Sequence, residues 1–296
     1  RELVIEEKFT IRVIAPRKEE HLQSFISKYS ICQSVEEIQV VWGHTQEPPP
    51  SASSFTYSKT HCPVVFDILD SESEWPPVHY GSKNLAVRTE GVLLLESDVL
   101  MECDDLKFVH SVWRSGRETL VGVLPRVHMK WNNAQYTYHG WNRVWWNGFY
   151  SLMLSGAVMT HNDILQSTKS SEPLNMLLSK HPECYNVGLS VWSSSTKKLP
   201  LKSEALGVQK NPEDGAKIRP VVWAQVPVSR KNLGGAAESA HVDNMSLTMA
   251  KSRVDKHGGE RYATTCECLT MLAASLSIQD LPYSSFKAVV AKNKLW

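Results

Sequence analysis

Two carboxylates stand two residues apart at the end of a short apolar run: Gly91 to Leu95 (GVLLL) is followed by Glu96, Ser97 and Asp98. In an extended segment successive side chains alternate faces, so Glu96 and Asp98 can point the same way. Two carboxylates converging at a strand end can hold a hard divalent cation through oxygen, and that cation can carry a nucleotide diphosphate. Neutralising a departing diphosphate is the main electrostatic task in moving a sugar from a nucleotide donor. The alternative is a pair of solvated turn residues. Ten tryptophans, four of them between positions 131 and 146, add aromatic faces of the kind that stack on sugars or bases. Burial in a core or a domain interface is the other common use of such rings.

The carboxylates need a sheet behind them. Phe9 to Ala15 (FTIRVIA) alternates apolar and polar residues and stops at Pro16, which reads as a strand ending in a loop. Leu22, Phe25, Ile26 and Tyr29 recur at helical spacing over residues 19–32, and that helix feeds a second strand, Glu37 to Trp42. A Pro- and Ser-rich loop from Glu47 to Ser54 separates it from a third strand, Pro63 to Leu69. This rhythm opens a parallel α/β sheet. A helix over Ser82 to Arg88 leads into Gly91–Leu95, whose unbroken apolar character suits a central strand buried on both faces. Open α/β sheets place ligand chemistry just beyond the carboxyl ends of such strands.

Beyond Asp98, one of Asp104 and Asp105 caps a helix through Leu106, Val109 and Trp113. Leu120 to Pro125 and Tyr150 to Val158 read as strands, Tyr136 and Tyr138 share one face of a β segment, and Asp163 to Leu178 is helical in part, broken at Pro173. From Lys197 to Gly259 the texture turns to Lys, Pro, Gly, Ser and Ala with weak periodicity, the mark of an irregular insertion. A helical pattern returns over Tyr262 to Leu276 and closes at Leu281-Pro282.

Composition excludes several classes. With 296 residues, 42% hydrophobic and 21% charged, and a net charge of +1, the chain has neither a disordered bias nor a nucleic-acid footprint. Lys197 to Lys217 is interrupted by Glu204, Glu213 and Asp214 and reads as a solvated loop. No run approaches the roughly 18 apolar residues of a membrane span, and the start at Arg1 lacks a signal pattern, as expected of a domain excised from a longer protein. The length allows one large domain or two. The six cysteines (Cys32, Cys62, Cys103, Cys184, Cys266, Cys268) lack zinc-site spacing and are buried thiols or disulfides, with connectivity left open. One sequon, Asn244-Met245-Ser246, is compatible with a lumenal home.

Read end to end, the chain resembles the exostosin and exostosin-like C-terminal glycosyltransferase domain, glycosyltransferase family 64. FTIRVIAPR and IQVVW look like the family's first two strands, and GVLLLESD stands where the family has an apolar strand ending in its acidic metal motif. DDLKFVHSVWRSGRETLVGVLPRVH is the most specific stretch; YSLMLSGAVMTH, HPECYNVGLSVW and CLTMLAASLSIQDLPY follow in the family's order. The resemblance implies one α/β domain of GT-A-like fold over 8–290, a mixed sheet flanked by helices, with the insertion at 197–259. It also implies a lumenal transferase of the Golgi or endoplasmic reticulum, belonging to a protein whose membrane anchor lies outside this chain. Such an enzyme moves a hexose or N-acetylhexosamine from a nucleotide-diphosphate sugar to a glycan or glycolipid, with retention and usually with manganese. Residue by residue, it implies Glu96 and Asp98 as metal ligands. Arg17, Asn84, Arg88 and Ser97 fall on the nucleotide side, and Trp131, Tyr138, Trp145, Ser155 and Gly156 on the acceptor side. Glu183 and Asn186 take the catalytic positions, and a disulfide joins Cys184 to Cys268.

Departures from the family pattern favour a second reading. Glu96-Ser97-Asp98 replaces an Asp-rich triplet, which keeps two oxygen ligands and lengthens one. Pro16 precedes Arg17 where the family has Asn, and Gly43 replaces an Asn after the second strand. Asn186 stands at a catalytic-position Asp, and an amide is no base. Thr265 replaces an Arg that would face the diphosphate, one helical turn from Arg261. Single losses in such sites typically cost on the order of 100- to 1000-fold in rate. The second reading is therefore a catalytically weak domain retained for binding beside a partner glycosyltransferase.

Overall fold

Phe9, Ile11 and Val13 alternate with Thr10 and Arg12, and both sets are buried, which requires a strand covered on two faces. The computed structural model describes residues 5–15, 19–42, 48–51, 55, 62–68, 86–131, 135–154, 156–181, 184–195, 209–210, 217–218, 221–230, 256–278 and 281–289. In chain order the first elements are β1 (Ile5–Ile14), α1 (Glu19–Tyr29), β2 (Val35–Trp42), β3 (Val64–Ile68), β4 (Thr89–Leu95), β5 (Val99–Leu100) and α2 (Cys103–Arg114). Then come β6 (Val121–Gly122), β7 (Pro125–Trp131), β8 (Gln135–His139), α3 (Trp141–Asn147), β9 (Leu152–Met153), β10 (Ala157–His161), α4 (Asn162–Lys169), α5 (Glu172–Lys180) and α6 (Tyr185–Ser195). The last are β11 (Gln209–Lys210), β12 (Lys217–Ile218), β13 (Val222–Gln225), β14 (Ser229–Arg230), α7 (Lys256–Ser275) and β15 (Lys287–Val289).

The main sheet has the order β15-β13-β6-β10-β4-β1-β2-β3. β3, β2, β1 and β4 are parallel, as the opening rhythm predicts, and β10 runs antiparallel between β4 and β6. One face packs Phe9, Ile11, Val13, Ile38, Val40, Leu93 and Leu95 with the buried sides of α1 and α2. On the other face Val92 and Leu94 meet Leu165 of α4, Leu189 of α6 and Tyr185. A further cluster joins Leu152 and Tyr136 to α5, α6 and α7. The expected mixed sheet flanked by helices is what forms.

β1, β2 and β3 carry a buried polar stripe beside this apolar packing. Arg12 donates to Gln39 Oε1 at 2.7 Å and to the Asp67 carboxylate, and Gln39 donates to Glu37 Oε1 at 2.7 Å. Thr10 meets Glu37 at 3.3 Å and Thr89 at 2.8 Å. Burial pulls the Arg12 pKa below its ordinary value, and Asp67 works against that shift.

α2 lies close on β4 because Gly91 lacks a side chain: a Cβ there would stand 2.9 Å from the Trp113 ring. His110 stacks on Trp113 with centroids 5.8 Å apart, and burial, with lesser pressure from Arg114 and Arg117, lowers its pKa to about 4.

Several local expectations are corrected. Ala86–Arg88 are not helical. Tyr150–Val158 splits into β9 and β10 because its halves pair in different sheets. Pro173 helps to start α5 rather than breaking a helix, for Ser171 caps that helix and the first turn needs no proline N–H. Glu102 precedes α2, and Asp105 assists from within by accepting its amide at 3.4 Å. The tract 197–259 is not irregular throughout. Val222–Gln225 is a buried strand between β6 and β15, β14 pairs with β5, and α7 starts at Lys256. The β13 run between Pro220 and Pro227 is too short to show a period.

His110 is buried neutral, and its folded pKa lies below the ordinary 6.5. Its contribution is therefore complete above that value and is lost as pH falls toward the folded pKa. About 3 kcal/mol should disappear between pH 7 and pH 4, and urea titrations of His110→Phe should show a shallower acid limb than those of the parent. Asp67→Ala, which strands the Arg12 guanidinium, should cost about 3–5 kcal/mol in the same assay.

Candidate active site

β4 is buried from Gly91 to Leu95 and emerges at Glu96, Ser97 and Asp98, all half-buried. The Val99 amide donates back to the Glu96 carbonyl at 3.0 Å, closing a tight turn that carries the two carboxylates. The turn is clamped behind. The Tyr29 hydroxyl of α1 donates to the Val99 carbonyl at 2.9 Å and accepts from the Met101 amide at 3.0 Å. Burial pushes the Tyr29 pKa to about 12, so the phenol keeps the proton that its bond to Val99 requires. Lys28 reaches Glu102 at 2.7 Å, and a Cys32–Cys103 disulfide ties the residues after α1 to the first residue of α2. On the outer side β14 pairs with β5, Ser229 opposite Leu100 and Arg230 opposite Val99. The tract read as an insertion thus supplies part of the acidic loop's frame.

Two more segments converge on Glu96. Its amide donates to the Gly156 carbonyl at 2.9 Å, just where Ala157 of β10 pairs with Leu95. Tyr185, the first residue of α6, brings its hydroxyl to 3.5 Å from Glu96 Oε1. α6 is held there by the Cys184–Cys268 disulfide to α7, the pairing the resemblance implies. The backbone of Asn186, the second residue of α6, follows directly on Tyr185.

Among the described residues no group of three or more His, Cys, Asp or Glu forms a metal cage. Two carboxylates flanking the Ser97 hydroxyl are nevertheless a hard oxygen donor set, which suits a manganese or magnesium ion whose other positions go to phosphate and water. On that chemistry Glu96 and Asp98 fit a divalent cation.

The remaining expected residues scatter. Arg17, Asn84, Gly43, Ser155 and Glu183 lie outside the described residues, as do the side chains of Trp131, Asn186 and Arg261. Arg88 is exposed just before β4, at the end opposite Glu96 and roughly 26 Å away by strand rise. Standing before the first residue of β4, it lies away from the acidic turn that follows the last. The Tyr138 hydroxyl accepts from Arg126 Nε at 2.9 Å, and its amide donates to Cys266 Sγ at 3.3 Å. With Tyr185 and Leu154 it packs on the cluster around the second disulfide. Trp145 is 66% exposed on α3, and its ring contact is with Trp141. Tyr29, Tyr185 and the first disulfide were not expected. Tyr185 sits between Cys184 and Asn186, so its neighbours were the available signal; nothing local pairs Cys32 with Cys103.

A family model described as the glycosyl transferase family 64 domain matches residues 9–291. Glycosylinositol phosphorylceramide mannosyl transferase 1 of Arabidopsis thaliana is 27% identical over an alignment of 303 positions, which takes in 97% of this chain and 78% of that protein. Glucosamine inositolphosphorylceramide transferase 1 of the same plant is 33% identical over 111 residues, 36% of this chain and 13% of the relative. Exostosin-like 2 of Mus musculus is 22% identical over 187 residues, 62% and 56% of the two chains. The matched stretches thus span less than two thirds of the last two relatives.

The Cys32–Cys103 bridge closes a loop with sequence separation 71. In the chain-entropy account, replacing both cysteines by serine should cost about 4 kcal/mol, seen as a lower urea midpoint. Tyr29→Phe, which strands the Met101 amide, should cost about 2 kcal/mol with the bridge intact.

Proposed function

The chain belongs to glycosyl transferase family 64, and we propose that it transfers a hexose or N-acetylhexosamine from a nucleotide-diphosphate sugar to a glycolipid or glycan, with retention. The observation carrying this reading is the carboxylate pair Glu96 and Asp98, held on a clamped turn at the open end of the central strand. A divalent cation, when bound, supplies charge neutralisation at the leaving diphosphate. Glu96 and Asp98 orient it, and the Tyr185 hydroxyl steadies Glu96. Asn186 carries an amide that can hydrogen-bond a sugar or phosphate oxygen without taking a proton. Glycolipid acceptors are favoured over free glycans by the relatives whose names carry inositolphosphorylceramide. Two disulfides suit an oxidising compartment such as the Golgi lumen. No described helix is long and apolar enough to cross a membrane.

Thermal melts with manganese and a panel of UDP and GDP test the site. A nucleotide at about 100 times its Kd stabilises a fold by about 2.7 kcal/mol, so the matching nucleotide should raise Tm by several degrees, and Asp98→Asn should abolish the rise. No shift with any nucleotide would sink the reading. Donor turnover with a glycolipid acceptor then separates an active transferase from a domain that only binds.

A further inference from the structure

Trp145 and Trp146 are adjacent on α3 and are 66% and 83% exposed, and the short helix is fastened inward through Val144. Such rings contribute nothing to the core from there, and most soluble domains keep neighbouring Trp pairs out of water. They are not isolated. Trp145 touches Trp141, Trp141 packs edge-on against Trp223 at 4.9 Å, and the Lys287 ammonium sits over Trp223 at 4.8 Å. Phe149 packs edge-on against exposed Tyr283, and Tyr150 pairs with Ser284 and donates to the Phe286 carbonyl, which brings exposed Phe286 alongside the α3 segment.

The charge on these two segments has one sign. No Asp or Glu occurs between residues 119 and 162, or between 281 and 289, while Arg143 and Lys287 are exposed there. Exposed, paired tryptophans beside cations, in segments that carry no acid, are what an anionic lipid surface takes: indole rings settle at headgroup depth and cations meet the negative leaflet. A sugar-stacking platform needs a concave or flanked aromatic face, and these two rings project from a helix into solvent.

We infer that α3, with the 283–289 segment, is a membrane-docking face that seats the domain on anionic bilayers. The inference rests on the surface alone and stands apart from the transferase reading, because vesicle binding is measured without donor or acceptor.

The test is flotation of the purified chain with vesicles of phosphatidylcholine and of phosphatidylcholine doped with phosphatidylserine, alongside tryptophan fluorescence. Binding is expected to the doped vesicles with a blue shift. Trp145→Ser with Trp146→Ser should weaken it about a hundredfold, and Arg143→Glu should weaken it about tenfold on doped vesicles only. Trp146→Ser alone should give an intermediate loss, and unchanged melting curves establish that the variants fold. Failure to bind either vesicle, or binding that the double variant leaves intact, overturns the inference. So does a concentration-dependent dimer, or retention on an immobilised glycan, that the double variant abolishes while vesicles are ignored.

Discussion

A strand buried on both faces cannot carry an unpaired charge until it leaves the sheet, and the candidate site is built on that constraint. Val92 and Leu94 fill one side of β4 and Leu93 and Leu95 the other, so Glu96 is the first position where a carboxylate reaches water. Where it emerges is set by register, with Leu95 opposite Ala157 and the Glu96 amide on the Gly156 carbonyl. β1 meets the same constraint differently. Arg12 stays inside the sheet because Asp67 and Gln39 are there to receive it, an arrangement whose desolvation makes it costly to disturb and only modestly stabilising overall.

Catalytic groups must be held before substrate arrives if binding energy is to serve chemistry. Here the holding elements come from distant parts of the chain. α1 supplies Tyr29 and a bridge from Cys32, β14 supplies a backbone ladder, and α6 supplies Tyr185 from beside the other bridge. The acidic turn is thus restrained through main-chain atoms at Val99 and Met101, and the Glu96 carboxylate is met separately by the Tyr185 hydroxyl.

The parallel half of the sheet was readable in the sequence because β1, β2 and β4 are long enough to display alternation or an unbroken apolar run. The four-residue β13 was not, since its burial comes from neighbours rather than from period, and β6 and β9 were read only as parts of the longer runs Leu120–Pro125 and Tyr150–Val158. Val222–Gln225 lay inside a tract of turn-forming residues for this reason. The carboxylate pair was legible as chemistry, and Cys184–Cys268 through family likeness; Cys32–Cys103 depends on a contact between α1 and α2 that no local pattern encodes. Arg88 was assigned to the nucleotide side by family likeness alone, and its place just before β4 follows from the chain order.

The two disulfides also have an order. Cys32–Cys103 and Cys184–Cys268 are neither nested nor crossed: the first ring is complete in sequence before either cysteine of the second begins. A chain delivered N-terminus first into an oxidising compartment can therefore close the ring behind the acidic turn before the thiols that anchor α6 have been made. Cys62, the one cysteine inside the first ring, becomes buried with its pKa raised to about 11, so once folded it holds little of the thiolate needed to reopen its neighbours. Assembly of this domain can proceed along the chain as two successive oxidations, the second of which leaves the partly buried Cys266 thiol two residues from Cys268.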